Sequence, residues 1–278
     1  MSLLFTLIFS FVGFAVEPAT TSSFDWSKLE RNFDLSYASL VTGPTLEHLD
    51  ANKDGKGTDM GWRNYLNAGA ELGNNWEASM GVEGRQYFRP ADPKKPNRKD
   101  FEWRDPTVSL SRGKIVEAGA YQLSAKLRYS IPMTEYNKSN VGKTYDAGNG
   151  EINLGFNNSW RLRDGDWTLS LPLDLYYKIA EAPPAVREDY SARAKAIVAY
   201  RIAAKYATKV EYSTGYIRHS TNGKWSKLND KLLGQEVLLA FNYFPIRNLT
   251  ISPGLGWGSE TFRFNSAKAS LYVSYNVL

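Results

Sequence analysis

The chain has no cysteine and only two histidines in 278 residues. Without a thiol, cysteine catalysis and disulfide bracing are excluded, and two histidines are too few for a histidine-rich metal centre. The missing cysteine leaves the cellular compartment open. Long apolar runs are also scarce: Leu3–Val16 is one, shorter than the roughly 20 residues a membrane helix needs. Mean hydropathy is −0.43 and 42% of residues are hydrophobic, which excludes a bundle of apolar helices. A transmembrane barrel escapes that test, because only alternate residues of its strands meet lipid. The net charge is +5, with a pI near 9.1. The basic residues are spread along the chain without clustering in a patch, so nucleic acid is not an expected partner.

Leu3–Val16 has the length of a secretory signal core, and the small residues Gly13 and Ala15 precede Glu17-Pro18. The pattern predicts export, with residues 1–15 removed and 16–28 forming a periplasmic lead. No Lys or Arg precedes the apolar run.

What the chain has in abundance is alternation. From Glu151 to Ile179 apolar and polar residues alternate, reverse at Arg163-Asp164-Gly165-Asp166, and alternate again. Ile152, Leu154, Phe156, Trp160 and Leu162 share a face; on the return Trp167, Leu169, Leu171, Leu173, Leu175 and Tyr177 do. Strand side chains point to opposite faces with period two, so each run is a ribbon with one greasy and one wet side. Its length suits a tilted strand crossing a bilayer.

The same template recurs in about twelve segments. The others lie near Leu29–Val41, Trp62–Leu72, Trp76–Phe88, Phe101–Ser111, Val116–Ile131, Tyr190–Ile202, Tyr206–Ile217, Val237–Tyr243, Leu249–Trp257 and Leu271–Val277. Phe101–Ser111 alternates least regularly. Short links such as Gly73-Asn74-Asn75 alternate with longer polar ones such as Thr42–Gly61, Pro90–Asp100 and Pro132–Asn149. Short turns on one side and long loops on the other are the habit of bacterial outer-membrane barrels. Trp76, Trp160, Trp167, Tyr200, Tyr206 and Tyr243 fall on the apolar face at the short-turn end. Trp62, Phe88, Tyr216 and Trp257 fall on it at the long-loop end. Such rings settle at headgroup depth as two girdles. In a soluble barrel the apolar face turns inward and Trp does not sort to both rims.

The expected fold is therefore all-β: one antiparallel up-and-down transmembrane β-barrel of about twelve strands, residues 29–278. On the signal, the strand–turn rhythm and the alternating end Ser270–Leu278, the chain resembles Gram-negative outer-membrane β-barrel proteins of porin type. That resemblance implies the bacterial outer membrane, its lipids and the barrel-assembly machinery as surroundings. Family members usually close on an aromatic residue; this chain closes on Leu278.

If the apolar face meets lipid, the polar face lines a lumen. Its cations are Arg63, Arg85, Lys126, Arg128, Arg161, Lys178, Arg193, Lys195, Arg201 and Lys209. Its acids are Glu71, Glu77, Glu83, Asp174, Glu211 and Glu236. Eight-stranded barrels are filled by their own side chains and sixteen-stranded ones hold an aqueous channel, so about twelve strands suit a narrow pore. A cationic surplus concentrates anions between low-dielectric walls. The expected function is passive diffusion of small polar solutes, anionic ones among them. The competing reading is a barrel plugged by cross-strand charge pairs, with a structural or adhesive role.

Two local motifs compete with that reading. Tyr216–Gly223, with His219-Ser220-Thr221-Asn222-Gly223, resembles the His-x-Ser-Asn-Gly segment of outer-membrane phospholipase A. The resemblance implies His219 as base, Thr221 as nucleophile and Asn229 as the group orienting His219. Against it, His219 and Thr221 share the parity of Lys209 and Glu211, the lumen face, whereas a phospholipase works at the lipid face. Asp50, Asn52 and Asp54, followed by Gly55, match the first half of a calcium loop, but Gly61 stands where the bidentate acid belongs. Such residues also make ordinary surface turns.

Overall fold

A computed structural model describes residues 32–45, 60–88, 101–133, 150–162, 165–179, 188–219, 225–227, 236–258 and 267–277. It contains β1 (Phe33–Thr45), β2 (Met60–Gly73), β3 (Trp76–Phe88), β4 (Phe101–Trp103), β5 (Thr107–Ala118), β6 (Tyr121–Ser130) and β7 (Glu151–Leu162). These are followed by β8 (Trp167–Lys178), β9 (Glu188–Ala203), β10 (Tyr206–His219), β11 (Trp225–Lys227), β12 (Glu236–Ile246), β13 (Leu249–Gly258) and β14 (Lys268–Asn276). Each strand pairs antiparallel with its neighbours, and the sheet closes where β1 meets β14 and β9 meets β10. The three-residue strands β4 and β11 pair with β3 and β10 in line with β5 and β12 and continue their staves, so the closed barrel has twelve staves. Closure leaves no sheet edge, which a lipid-embedded backbone requires.

The register keeps the apolar residues on one face all the way round. Phe156 lies opposite Leu173, and Leu173 opposite Ala194; Leu239 lies opposite Leu255, and Tyr37 opposite Leu66 and Tyr275. Leu66, Leu127, Leu175, Val210 and Leu239 are each at least 41% exposed, so this face points outward. Among the described residues the inside holds no apolar core: the buried hydrophobic side chains are Ala240 and Ala267.

The rims are aromatic. At the short-turn end Trp167 packs on Tyr200 at 4.6 Å, Tyr206 on Tyr243 at 5.3 Å and Tyr121 on Trp160 at 5.1 Å between ring centroids. At the other end Tyr177 packs on Tyr190 at 5.0 Å. Each rim also holds an outward arginine over a ring: Arg112 is 5.4 Å from Trp76, and Arg218 is 5.7 Å from Tyr190. A guanidinium at that depth keeps its charge near water while its stem lies on apolar surface.

The irregular region near Phe101 departs from expectation. The expected strand Phe101–Ser111 is two elements, β4 and β5, separated by Arg104-Asp105-Pro106. Proline has no backbone N–H to give to a ladder, and the strand breaks there. The expected strand Val116–Ile131 is likewise divided, because the chain reverses at Gly119-Ala120 and Val116–Ala118 closes β5. Gly119 has φ 58°, which glycine adopts without steric cost. Between Arg112 and Val116 the register slips: Gly113, Lys114 and Ile115 lie opposite Ser124 alone. That bulge adds residues to one strand only, so counting along the sequence misplaces the turn.

Candidate functional site

Opposite the apolar face, the same ladders assemble a polar inner wall. Arg63 pairs with Arg85 and Glu71 with Glu77 across β2 and β3. Lys126 and Arg128 on β6 lie opposite Gly155 and Asn153 of β7, where Arg161 faces Thr168. Asp174 lies opposite Gly155 and Arg193, and Lys178 opposite Glu151. Lys195 faces Ser213, Arg201 faces Ala207, Lys209 faces Ala199, and Glu211 faces Ile197. The backbone of Glu236 opens β12 opposite Gly258 and Ser213.

Several of these charges are held by neighbours. Glu211 accepts from Lys195 Nζ at 2.6 Å and from Lys209 Nζ at 3.2 Å. Glu83 binds the Arg85 guanidinium in a two-point pair, with Nη2 donating to Oε2 at 3.1 Å. The Arg193 guanidinium stacks over Tyr176 at 4.7 Å. Asn153, 2% exposed, donates to Asp174 Oδ1 at 3.3 Å and to the Leu175 carbonyl at 3.4 Å. These contacts lie along the wall and pair strand neighbours.

The register also brings in charges that the sequence reading left out: Asp34 opposite Gly69, Glu117 opposite Gln122, Glu151 opposite Lys178, and Lys268 opposite Gly256. Strict alternation along β7 already placed Glu151 with Asn153. Glu117 was hidden because the β5–β6 turn was missed.

With them the wall divides into three arcs. Among the described residues, β6 to β10 carry eight inward bases (Lys126, Arg128, Arg161, Lys178, Arg193, Lys195, Arg201, Lys209) against three acids (Glu151, Asp174, Glu211). On β1, β2, β3 and β5 the balance reverses, with Asp34, Glu71, Glu77, Glu83 and Glu117 against Arg63 and Arg85. The staves β12, β13 and β14 present mostly neutral groups, such as Leu238, Ala240, Ser252, Gly254 and Tyr272. Ser252 donates to Asn242 there at 2.6 Å.

A cavity of about 660 Å³ opens off the inner wall between β2 and β8, towards the short turns. Glu71, Glu77, Ser111, Gln122, Lys126, Gly155, Asn157 and Asp174 line it. Gly155 makes part of its space: a Cβ there would sit 2.9 Å from Asp174 Oδ1.

His219 ends β10, where its backbone pairs with Glu188 beyond a register shift that alternation alone did not reveal. Thr221 and Asn229 lie outside the described residues, as do Asp50, Asn52 and Asp54 and the segment 1–31. Nothing among the described residues supports the phospholipase resemblance. No group of three or more His, Cys, Asp or Glu side chains placed to hold a metal occurs among them.

No protein-family model matches the chain, and no curated protein does. Solved structures do share its fold. An outer-membrane channel from Pseudomonas putida F1 superposes over 94% of this chain and 99% of its own, with TM-score 0.57 and 10% identity. The NanC porin superposes over 86% of this chain and 97% of its own, with TM-score 0.51 and 11% identity. The chain thus has the twelve-stave barrel fold found in outer-membrane channels.

Proposed function

We propose that the protein is an outer-membrane channel through which small polar solutes diffuse passively. The observation that carries this reading is the opposition of the two faces on one closed barrel: an exposed apolar band outside and a charged, hydrogen-bonding wall inside. A soluble barrel has the reverse arrangement. The inward charged residues from Arg63 to Glu236 form the pore lining, and residues 1–15 direct export. Lipids contact the outer band, and the barrel-assembly machinery inserts the chain.

The solved channels named above support this reading through their shared fold. The ion pairs support it as well, since Glu211 with its two lysines and Glu83 with Arg85 lie along the wall. Inward bases exceed inward acids, which favours anions modestly. Conductance of the purified protein in a planar bilayer tests the reading. Steady openings in potassium chloride, with the reversal potential displaced towards chloride in a salt gradient, are expected. Silence of the intact protein and of loop-shortened versions alike overturns it and favours a plugged barrel.

A further inference from the structure

We propose that the cavity between β2 and β8 is a binding station for small zwitterions, with Glu71 and Glu77 taking the ammonium group and Lys126 the carboxylate. The inference rests on the channel reading above and names the solute class that the lumen selects.

Glu71 and Glu77 are register partners on neighbouring strands. Like charges placed directly opposite repel, a cost that a cation between them removes. Gly69 leaves the backbone bare beside them: a Cβ there would meet Glu77 Oε1 at 3.1 Å. Among the described residues, no ion pair is closed by Glu71, Glu77 or Lys126, although elsewhere on the wall Glu83 closes one with Arg85 and Glu211 two with Lys195 and Lys209. Of the other charged groups lining the cavity, Asp174 accepts from the Asn153 amide, Lys114 pairs with Glu117 at 3.2 Å, and Arg112 lies over the Trp76 ring.

Lys126 is two strands away from Glu77, with the short side chain of Ser111 between them. Two strand spacings amount to about 10 Å, which the two long side chains narrow from both sides. A molecule carrying an ammonium and a carboxylate a few bonds apart fits that gap. A monoanion of the same size meets Lys126 but also faces the acid pair, and a monocation has the converse difficulty. The cavity is of about 660 Å³, within the range of small-molecule sites.

The test is saturation-transfer NMR on the detergent-solubilised protein with three probes of similar size: valine, N-acetylvaline and valinamide. Valine is expected to bind about fivefold more tightly than either single-charge probe, the worth of the one solvent-screened contact that each probe lacks. In a Glu71→Gln/Glu77→Gln double variant, the advantage over N-acetylvaline disappears. In Lys126→Gln the advantage over valinamide disappears. Both variants remove charge without adding bulk, and heat-modifiable electrophoretic mobility verifies that each has folded. Equal binding of all three probes to the wild type, or preferences unchanged in both folded variants, overturns the site. Potassium chloride conductance is recorded on the same preparation. A conducting barrel without valine preference sinks the site alone, whereas selective binding without conductance upholds the site and sinks the channel.

Discussion

Glu211 sits between Lys195 and Lys209 with only 13% of its side chain exposed, and it is the acid that tempers the most basic arc of the wall. Neutralising it leaves two ammonium groups without their shared counter-charge. Glu211→Gln should therefore raise the chloride-to-potassium permeability ratio on the order of twofold through the focused field. Reversal potentials in a salt gradient measure this, and an unchanged ratio places Glu211 away from the ion path. On the outer face, Leu173 stands midway along β8 between Phe156 and Ala194. Leu173→Arg should cost about 2–4 kcal/mol at mid-membrane depth, read as a lower urea midpoint in lipid vesicles. Asn157→Arg, one step from Leu173 on the inner face, provides the contrast and should cost far less. Equal losses at the two positions deny that the faces differ in environment.

At the level of elements, β7 and β8 were legible almost residue for residue, because uninterrupted alternation and an Asp-Gly reversal act together there. β5 was not. Its break at Pro106, its bulge at Gly113–Ile115 and its turn at Gly119-Ala120 each disturb the period-two count. The Gly-Ala turn also lacks the Asn or Asp that usually marks a hairpin. Gly119 nonetheless has the positive φ such a turn needs. Gly119→Val should destabilise the barrel by about 1–3 kcal/mol, since a β-branched residue is strained in that region. A urea midpoint matching wild type removes the turn from the account. The inner face was legible in the same uneven way: alternation picked out Lys126, Asp174 and Arg193, while Glu117 was lost with its strand.

For the whole molecule, closure is the decisive feature. β14 hydrogen-bonds to both β13 and β1, with Val277 N–H donating to the Leu35 carbonyl at 2.7 Å. Deleting residues 268–278 would leave two strand edges facing lipid, where each unpaired backbone group costs several kcal/mol. The truncated chain should show no heat-modifiable band on electrophoresis. A band as strong as that of the full chain refutes closure through this seam. Alternation by itself determined the strands, the two faces and the aromatic rims, because those follow from which side of a strand each residue occupies, a local property of period two. The arcs of opposite charge and the cavity holding Glu71, Glu77 and Lys126 were decided only by the tertiary structure. Which strands stand side by side, and at what register, depends on pairings between residues far apart in the chain, and no local pattern records them.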